Sequence, residues 1–264
     1  MIRTDYHLHT TLSVDAPGRI EDMVARAVGL GLTEIAITDH VDHNPADEGA
    51  GLYDPARGLE ITRRVAEEFK DRITVRHGAE LGEPHLYGRE NAALYGLPYE
   101  VIIGSVHCMG PYGVHSDLYD HVEPDQAVRD FFRFTLDMVR DGDLDIVGHL
   151  DYFDRYAVRR GIPPYDPAGY EDLIRPILET ILARDLTLEV NTSGYRSKAP
   201  RPFPHPQVLR WYYQMGGRRI SLGSDAHQPD HIGLHFEAAV ALLREIGFRK
   251  YLVFRQRTPI ALPL

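Results

Sequence analysis

The sequence predicts an α/β fold in which parallel strands form a closed or nearly closed barrel. Seven short runs of β-branched and other apolar residues alternate with amphipathic stretches along the 264 residues, and this alternation predicts right-handed crossovers between parallel strands. Strand–helix units of roughly 27–42 residues favour a barrel over a doubly wound open sheet, which is the alternative. No linker or low-complexity segment divides the chain, so we expect one domain spanning residues 1–264.

The elements are expected in alternating order. Strands are predicted where β propensity is high, at residues 4–8, 34–38, 73–79, 101–105, 145–148, 186–190 and 219–223, with a further run at 251–254. Helices are predicted near residues 19–30, 55–70, 88–95, 123–140, 170–183, 206–215 and 231–245. The first helix shows the pattern, because its apolar residues share one face: Ile20, Met23, Val24, Ala27 and Val28. We expect the long loop over residues 41–55, rich in Asp and Gly, to shape a pocket.

Composition and charge exclude several classes of protein. With 43% hydrophobic and 26% charged residues, the chain is typical of a globular protein with a sizeable core. It lacks the run of about 18 apolar residues that a transmembrane helix requires, and no signal-peptide pattern opens it. The single cysteine, Cys108, fits a reducing compartment and a buried apolar role, so we expect the cytoplasm. A net charge of −10 without a basic patch argues against a nucleic-acid partner.

Six of the seven predicted strands end in side chains that bind metals. In chain order, these strand ends carry His7 and His9, Asp39 and His40, Glu80, His107, His149, and Asp225 and His227. Residues two apart on a strand point the same way, and the carboxyl ends of barrel strands share one face. A single histidine at a strand end is usually a hydrogen-bonded structural residue, but six strand ends agree here. Mixed imidazole and carboxylate ligands favour Zn, Mn or Fe over Ca or Mg alone.

Several motifs together resemble the polymerase-and-histidinol-phosphatase (PHP) family over essentially the whole chain. They are Asp5-Tyr6-His7-Leu8-His9-Thr10, Thr38-Asp39-His40, Gly78-Ala79-Glu80, Gly104-Ser105-Val106-His107, Gly148-His149-Leu150-Asp151 and Gly223-Ser224-Asp225-Ala226-His227. Within the family, the segment Leu-Glu-Val-Asn-Thr-Ser-Gly-Tyr-Arg at 188–196 is most similar to the branch of stand-alone histidinol-phosphate phosphatases. That resemblance implies hydrolysis of L-histidinol phosphate to L-histidinol and phosphate, a step of histidine biosynthesis.

The resemblance also implies a distorted (β/α)7 barrel, with the active site at the C-terminal mouth of the strands, and a centre of three divalent metal ions. Carried over by position, the first ion takes His7, His9, Glu80 and Asp225, the second takes Glu80, His107 and His149, and the third takes Asp15, His40 and His227. Glu80, Asp225 and His227 would be the catalytic groups. The implied mechanism is attack of metal-bound hydroxide on phosphorus. Some family members have His in place of Asp15, which leaves the metal preference of the third site open.

Substrate contacts are expected from arginines and from polar residues near the strand ends. The planar guanidinium matches a phosphate group, and the candidates are Arg196 and Arg155, with Arg159 and Arg160 close behind. Asn191, Ser193 and His43 are further candidate substrate contacts. The ammonium and imidazole of histidinol require an acidic or aromatic neighbour, and the chain offers Asp42, Asp47, Glu48, Tyr53, Glu83 and Asp154. His231 and His235, spaced i, i+4 on a predicted helix, are read as a surface pair.

Three other functions remain open from the sequence. A PHP phosphoesterase can act on another small phosphomonoester or on a nucleic-acid end. An amidohydrolase also opens with His-x-His, but many of its members bridge two metals with a lysine, and Lys70, Lys198 and Lys250 all lie away from the predicted strand ends. A non-catalytic PHP scaffold is expected to have lost ligands, and none is missing here. The oligomeric state is left open.

Overall fold

The structure is a computed structural model that describes residues 2–264. Its strands, in chain order, are β1 (Thr4–Leu8), β2 (Glu34–Ile37), β3 (His40–Val41), β4 (Thr74–Gly82), β5 (Val101–Ser105), β6 (Cys108–Met109), β7 (Tyr112–Gly113), β8 (Ile146–Val147), β9 (Thr187–Asn191), β10 (Ile220–Gly223), β11 (Lys250–Arg255) and β12 (Thr258–Pro263). Its helices are α1 (Ile20–Gly29), α2 (Pro55–Phe69), α3 (Ala92–Tyr95), α4 (Leu118–His121), α5 (Pro124–Asp141), α6 (Phe153–Arg159), α7 (Glu171–Ala183), α8 (Pro206–Gln214) and α9 (Phe236–Ile246).

Seven parallel strands form the wall of a nearly closed barrel. Their order is β1-β2-β4-β5-β8-β9-β10, and the short β3 pairs with the end of β4. Between β10 and β1 the wall is closed by backbone hydrogen bonds from Asp225 N to His7 O and from His9 N to Ala226 O, each 2.9 Å long. The predicted barrel in a single domain is confirmed, and the open sheet is not formed.

The barrel forms because its strands bury both of their faces. All residues of β1, β2, β5, β9 and β10 are buried, as expected for parallel strands covered by helices. The helices cover the wall with one apolar face each; α5, for example, buries Phe131 and Phe132 and begins with Pro124 in its first turn. Helix α2 begins where Asp54 accepts hydrogen bonds from the backbone of Ala56 and Arg57.

Two predicted helices were wrong in extent, and six elements were not predicted, among them the short β3, β6, β7 and α4. The helix expected at 88–95 is only the short α3, and the one expected at 231–245 begins at Phe236. His235 has φ 66° and Gly233 has φ 64°, and these left-handed residues interrupt the helical path. We had expected His231 and His235 to lie on one helix, and this prediction was wrong. Helix α6 and strand β12 were not foreseen.

The C-terminal hairpin, β11 with β12, packs beside the first residues of β1. The hydroxyl of Tyr6 donates to the carbonyl oxygen of Phe254 at 3.0 Å, and the hydroxyl of Thr4 lies 3.2 Å from that of Tyr251. The hairpin thus packs near the amino-terminal end of the barrel and leaves the carboxyl end open. Between residues 2 and 264, no helix is long and apolar enough to cross a membrane.

Candidate metal centre

The nine predicted ligands meet at the carboxyl ends of the barrel strands. At their centre is Glu80, which is fully buried within β4 rather than after it. Strand β4 is longer than predicted because its last residues pair with both β3 and β5, with Glu80 opposite His40 and Ile103. The Glu80 carboxylate lies within 3.4 Å of a nitrogen of each of five histidines: His149 at 2.8 Å, His40 at 3.0 Å, His7 at 3.1 Å, and His9 and His107 at 3.4 Å.

The remaining ligand candidates lie beside this group. Oδ1 of Asp225 is 3.5 Å from Nε2 of His9 and 3.5 Å from Nδ1 of His227. Asp15 lies in the loop after β1, with its carboxylate 3.0 Å from Nε2 of His227 and 3.6 Å from Nε2 of His40. The cluster therefore contains every residue that we expected to bind metal.

The donor atoms fit divalent metal ions. Ligand atoms lie close enough together to hold an ion in four groups, which overlap because they share His7, His9 and His40: His9, His40 and His227; His7, Glu80 and His149; His7, His9 and Asp225; and His40, Asp42 and His107. Nε2 of His7 and of His9, Nδ1 of His40 and Oε2 of Glu80 are buried, and none makes a hydrogen bond within the described chain. Such atoms are costly when unpaired, and cations would satisfy all of them.

The pKa values inside the cluster follow from burial and from the facing charges. Burial raises the pKa of Glu80, but the charge of His7 and of other histidines outweighs it and holds the pKa well below its usual range. Burial also raises the pKa of Asp225, but the close approach of His9 and the charges of His7 and other histidines outweigh it and hold the pKa well below its usual range. Burial and the charges of two neighbouring histidines lower the pKa of His9. Metal ligation needs ionised carboxylates and neutral rings. Glu80, Asp225 and His9 meet that requirement. Burial lowers the pKa of His7, but the charges of Glu189 and Glu80 outweigh it and raise the pKa well above its usual range, so metal binding there would displace a proton.

Two candidate ligands, His7 and His107, each have a buried carboxylate next to Nδ1, on the side of the ring away from Glu80. Neither carboxylate was assigned this role from the sequence. Oε1 of Glu189 lies 2.6 Å from Nδ1 of His7, and Oδ1 of Asp42 lies 2.8 Å from Nδ1 of His107. Asp39, which had been counted as a metal-competent strand end, accepts hydrogen bonds from Thr10 and Ser13 instead. Glu189 had one sequence signal: it precedes Asn191 by two residues and therefore points the same way on β9.

A cavity of about 640 Å³ opens over the cluster. Three arginines line it: Arg155, Arg159 and Arg196. Arg160 does not, since it is paired with Asp120 at 2.8 Å. The guanidinium of Arg196 donates to the carbonyl oxygens of Ser224 and Asp225 at 2.9 Å each, which places it directly beside the candidate metal ligands.

Three other residues predicted to contact substrate do not line the cavity: Ser193, Asn191 and His43. Ser193 is fully buried; its hydroxyl contacts Arg155 and donates to Asp225 at 3.0 Å. Asn191, also buried, accepts from the backbone of Ser193 and donates to Glu189 at 3.1 Å. Nε2 of His43 lies 3.0 Å from Oδ1 of Asn91, and His43 is not part of the cavity lining.

Most acids proposed for the amine of the substrate have other partners. Glu83 accepts from the backbone of His107 and Cys108, and Asp154 pairs with Arg201 at 2.9 Å. Tyr53 contacts Tyr99 outside the cavity lining. Asp42, Asp47 and Glu48 do line the cavity, and the last two leave their carboxylates unpaired with any cation of residues 2–264. Cys108 is buried, as expected, and burial raises the pKa of its thiol.

The model of the PHP domain family matches residues 5–193 of this sequence. The chain belongs to the PHP family. The histidinol-phosphatase of Lactococcus lactis is 29% identical to this PHP protein over 96% of this chain and 95% of its own length. A "probable histidinol-phosphatase" of Deinococcus radiodurans is 29% identical over 96% of each chain.

Two solved structures are similar to this chain. The histidinol phosphate phosphatase of Lactococcus lactis, complexed with zinc, L-histidinol and phosphate, matches this PHP chain with a TM-score of 0.85 and 26% identity, over 98% of both chains. A protein from Listeria monocytogenes matches with a TM-score of 0.76 at 18% identity, covering 89% of this chain and 99% of its own. The second likeness concerns the fold alone.

Proposed function

We propose that this chain is a metal-dependent phosphatase that hydrolyses L-histidinol phosphate to L-histidinol and phosphate in histidine biosynthesis. One observation carries the proposal: the Glu80-centred cluster lies in a cavity lined by arginines and by two carboxylates, Asp47 and Glu48, that pair with no cation of the described residues. A phosphomonoester with a cationic tail suits such a cavity. The likeness to the Lactococcus lactis enzyme over 98% of both chains supports the same substrate.

The cluster would hold three divalent ions. His7, His9, Glu80 and Asp225 would bind one, His107 and His149 would share Glu80 with a second, and Asp15, His40 and His227 would bind the third. Zn, Mn or Fe suits these ligands, and zinc is the metal of the Lactococcus lactis structure. Bound there, the metals would supply positive charge for the phosphoryl oxygens and water of lowered pKa.

Arg155 and Arg196 would hold the phosphate. Both line the cavity. Burial lowers the pKa of Arg196, the charge of Asp225 opposes this, and the charge of Arg155 lowers the pKa further. Two adjacent, half-buried cations favour a dianion between them. Ser193 contacts both Arg155 and Asp225, so it would fix the arginine relative to the metal ligands rather than touch the substrate.

Asp47 and Glu48 would receive the ammonium or imidazolium end of the substrate. They belong to the loop after β3 and line the same cavity as the arginines. Asp47 is held in place because it accepts from the backbone of Gly49 at 2.7 Å. This assignment keeps opposite charges of the substrate at different parts of the cavity wall.

Rival functions predict different results in a single assay. Phosphate release from a panel of phosphomonoesters, including L-histidinol phosphate and glycerol phosphate, separates a histidinol phosphatase from a phosphatase with another substrate. An ordered ammonium–carboxylate contact contributes about 1.5–3 kcal/mol, so we expect roughly 10–150-fold higher kcat/KM for L-histidinol phosphate. Equal turnover of the two would contradict the substrate assignment, and no release from any ester would contradict the phosphatase assignment.

A further inference from the structure

Glu189 lies beneath the metal cluster without lining the cavity. It is 1% exposed, and its two carboxylate oxygens have different partners. Oε1 lies 2.6 Å from Nδ1 of His7, while Oε2 accepts from the backbone N–H of His149 at 2.7 Å and from the side chain of Asn191 at 3.1 Å. One carboxylate on β9 thus contacts residues at the ends of β1 and β8.

The contact between Glu189 and His7 crosses an intervening strand. In the barrel, β10 lies between β9 and β1, and the residue at the crossing point is Gly223. A Cβ added to Gly223 would overlap both Oε1 of Glu189 and the Cβ of His7. The missing side chain of Gly223 therefore provides the space through which the carboxylate reaches the ring.

The same arrangement occurs on the other side of the cluster. Oδ1 of Asp42 lies 2.8 Å from Nδ1 of His107, and a Cβ on Gly82 would overlap this carboxylate oxygen. Two ligand histidines thus have Nδ1 paired with a buried carboxylate in a space left by a glycine. The repetition indicates that the pairing serves the ligands rather than the packing of one strand.

The pairing determines which ring nitrogen faces the cluster. A neutral histidine that donates from Nδ1 keeps its lone pair on Nε2. Nε2 of His7 faces Oε2 of Glu80 at 3.1 Å, and neither atom makes a hydrogen bond. A metal cation between these two atoms would satisfy both, and a carboxylate behind a ligand histidine is known to orient the ring and raise its basicity.

We infer that Glu189 is a positioning residue for the metal centre, which fixes the tautomer and orientation of His7 and the backbone of His149, and that Asp42 does the same for His107. Neither role requires contact with substrate. The inference rests on the metal assignment of the proposed function and is independent of the substrate.

The test is zinc affinity, measured by competition with a chromogenic chelator in the absence of substrate. Glu189→Gln keeps the volume of the side chain but removes the charge, and we expect zinc binding to weaken by about 10–100-fold. Glu34→Gln is the matched control, because Glu34 is a buried strand glutamate that contacts Tyr6 and Arg76 away from the cluster. We expect it to change zinc affinity by less than about 3-fold, within the scatter usual for distant sites.

Two further measurements separate positioning from a structural role. In zinc-loaded wild-type protein, ¹⁵N NMR should show His7 protonated at Nδ1, and this signal should be lost in Glu189→Gln. The melting temperature of the metal-free variant should fall no further than that of Glu34→Gln.

Should Glu189→Gln fail to fold, Glu189→Asp withdraws the carboxylate from His7 while keeping its charge, and we expect a similar loss of zinc affinity. Wild-type zinc affinity in a folded Glu189 variant overturns the inference, whereas failure of wild-type protein to bind zinc overturns the metal assignment itself.

Discussion

Replacing Glu80 with Gln tests the centre of the cluster. The side chain is 0% exposed, and nitrogens of five histidines lie 2.8–3.4 Å from its carboxylate. Glutamine keeps the shape but removes the charge that two metal ions would share. Removing one main electrostatic element from an active site costs about 2.7–4 kcal/mol of transition-state stabilisation. We therefore expect kcat/KM to fall by roughly 10²-fold to 10³-fold.

The fall in catalytic efficiency and the weaker metal binding of Glu80→Gln should both be measured on the same preparation. Phosphate release from L-histidinol phosphate gives kcat/KM, and elemental analysis gives the bound metal per chain. Glu34→Gln again serves as the control, since it removes a buried carboxylate from the other end of the barrel. A folded Glu80→Gln variant with normal metal content and near-wild-type turnover would refute the bridging role of Glu80.

Three other predictions concern phosphate binding, selectivity and acid stability. Arg196→Lys replaces a planar fork with a point charge, and we expect a fall in kcat/KM that corresponds to the loss of about 1–3 kcal/mol of transition-state stabilisation. Asp47→Asn combined with Glu48→Gln should remove most of the preference for L-histidinol phosphate while leaving glycerol phosphate turnover nearly unchanged. Burial lowers the pKa of His77 to about 4, so stability should be lost as pH falls from about 6.5 to 4, by about 3 kcal/mol in all. His77→Phe should reduce that acid dependence, as measured by urea unfolding at pH 7 and pH 5.

Specific outcomes would contradict the predicted roles of Arg196, of Asp47 with Glu48, and of His77. Unchanged kcat/KM in Arg196→Ala would place Arg196 outside the phosphate site. Equal losses on both esters in the double variant would assign the two acids a structural role. In the His77 case the folded pKa lies below the unfolded value, so the unfolded state takes up the proton first as the pH falls. In His77→Phe the Thr62 hydroxyl keeps its hydrogen bond to the carbonyl oxygen of Gly58. If the unfolding free energy of His77→Phe depends on pH as steeply as that of the wild type, His77 is not the group responsible for the loss of stability in acid.

The barrel and most of the cluster could be predicted because each depends on a local pattern. Alternation along a strand makes His7 and His9 neighbours on one face, and parallel strands bring their carboxyl ends together. These rules need no knowledge of long-range contacts. Asp15 differs, because it lies in a loop and only the family resemblance placed it among the ligands.

The remaining parts of the site depend on contacts that no local pattern records. Glu189 reaches His7 across an intervening strand, and that contact exists because Gly223 lacks a side chain. Asp42 had been considered for the substrate amine, yet its carboxylate lies against His107. Glu83 and Asp154 likewise have partners far away in sequence. Whether a loop carboxylate is free or paired follows from tertiary packing, so sequence alone could not separate these acids from Asp47 and Glu48.

Restoring metal to the metal-free enzyme tests the central claim most directly. The claim is that the cluster around Glu80 holds the divalent ions on which phosphate release depends. Chelator-treated protein should release no phosphate from L-histidinol phosphate, and activity should return on titration with zinc or manganese until about three ions are bound per chain. Turnover that persists in protein shown to be free of metal, or metal-loaded protein that releases no phosphate, would contradict it.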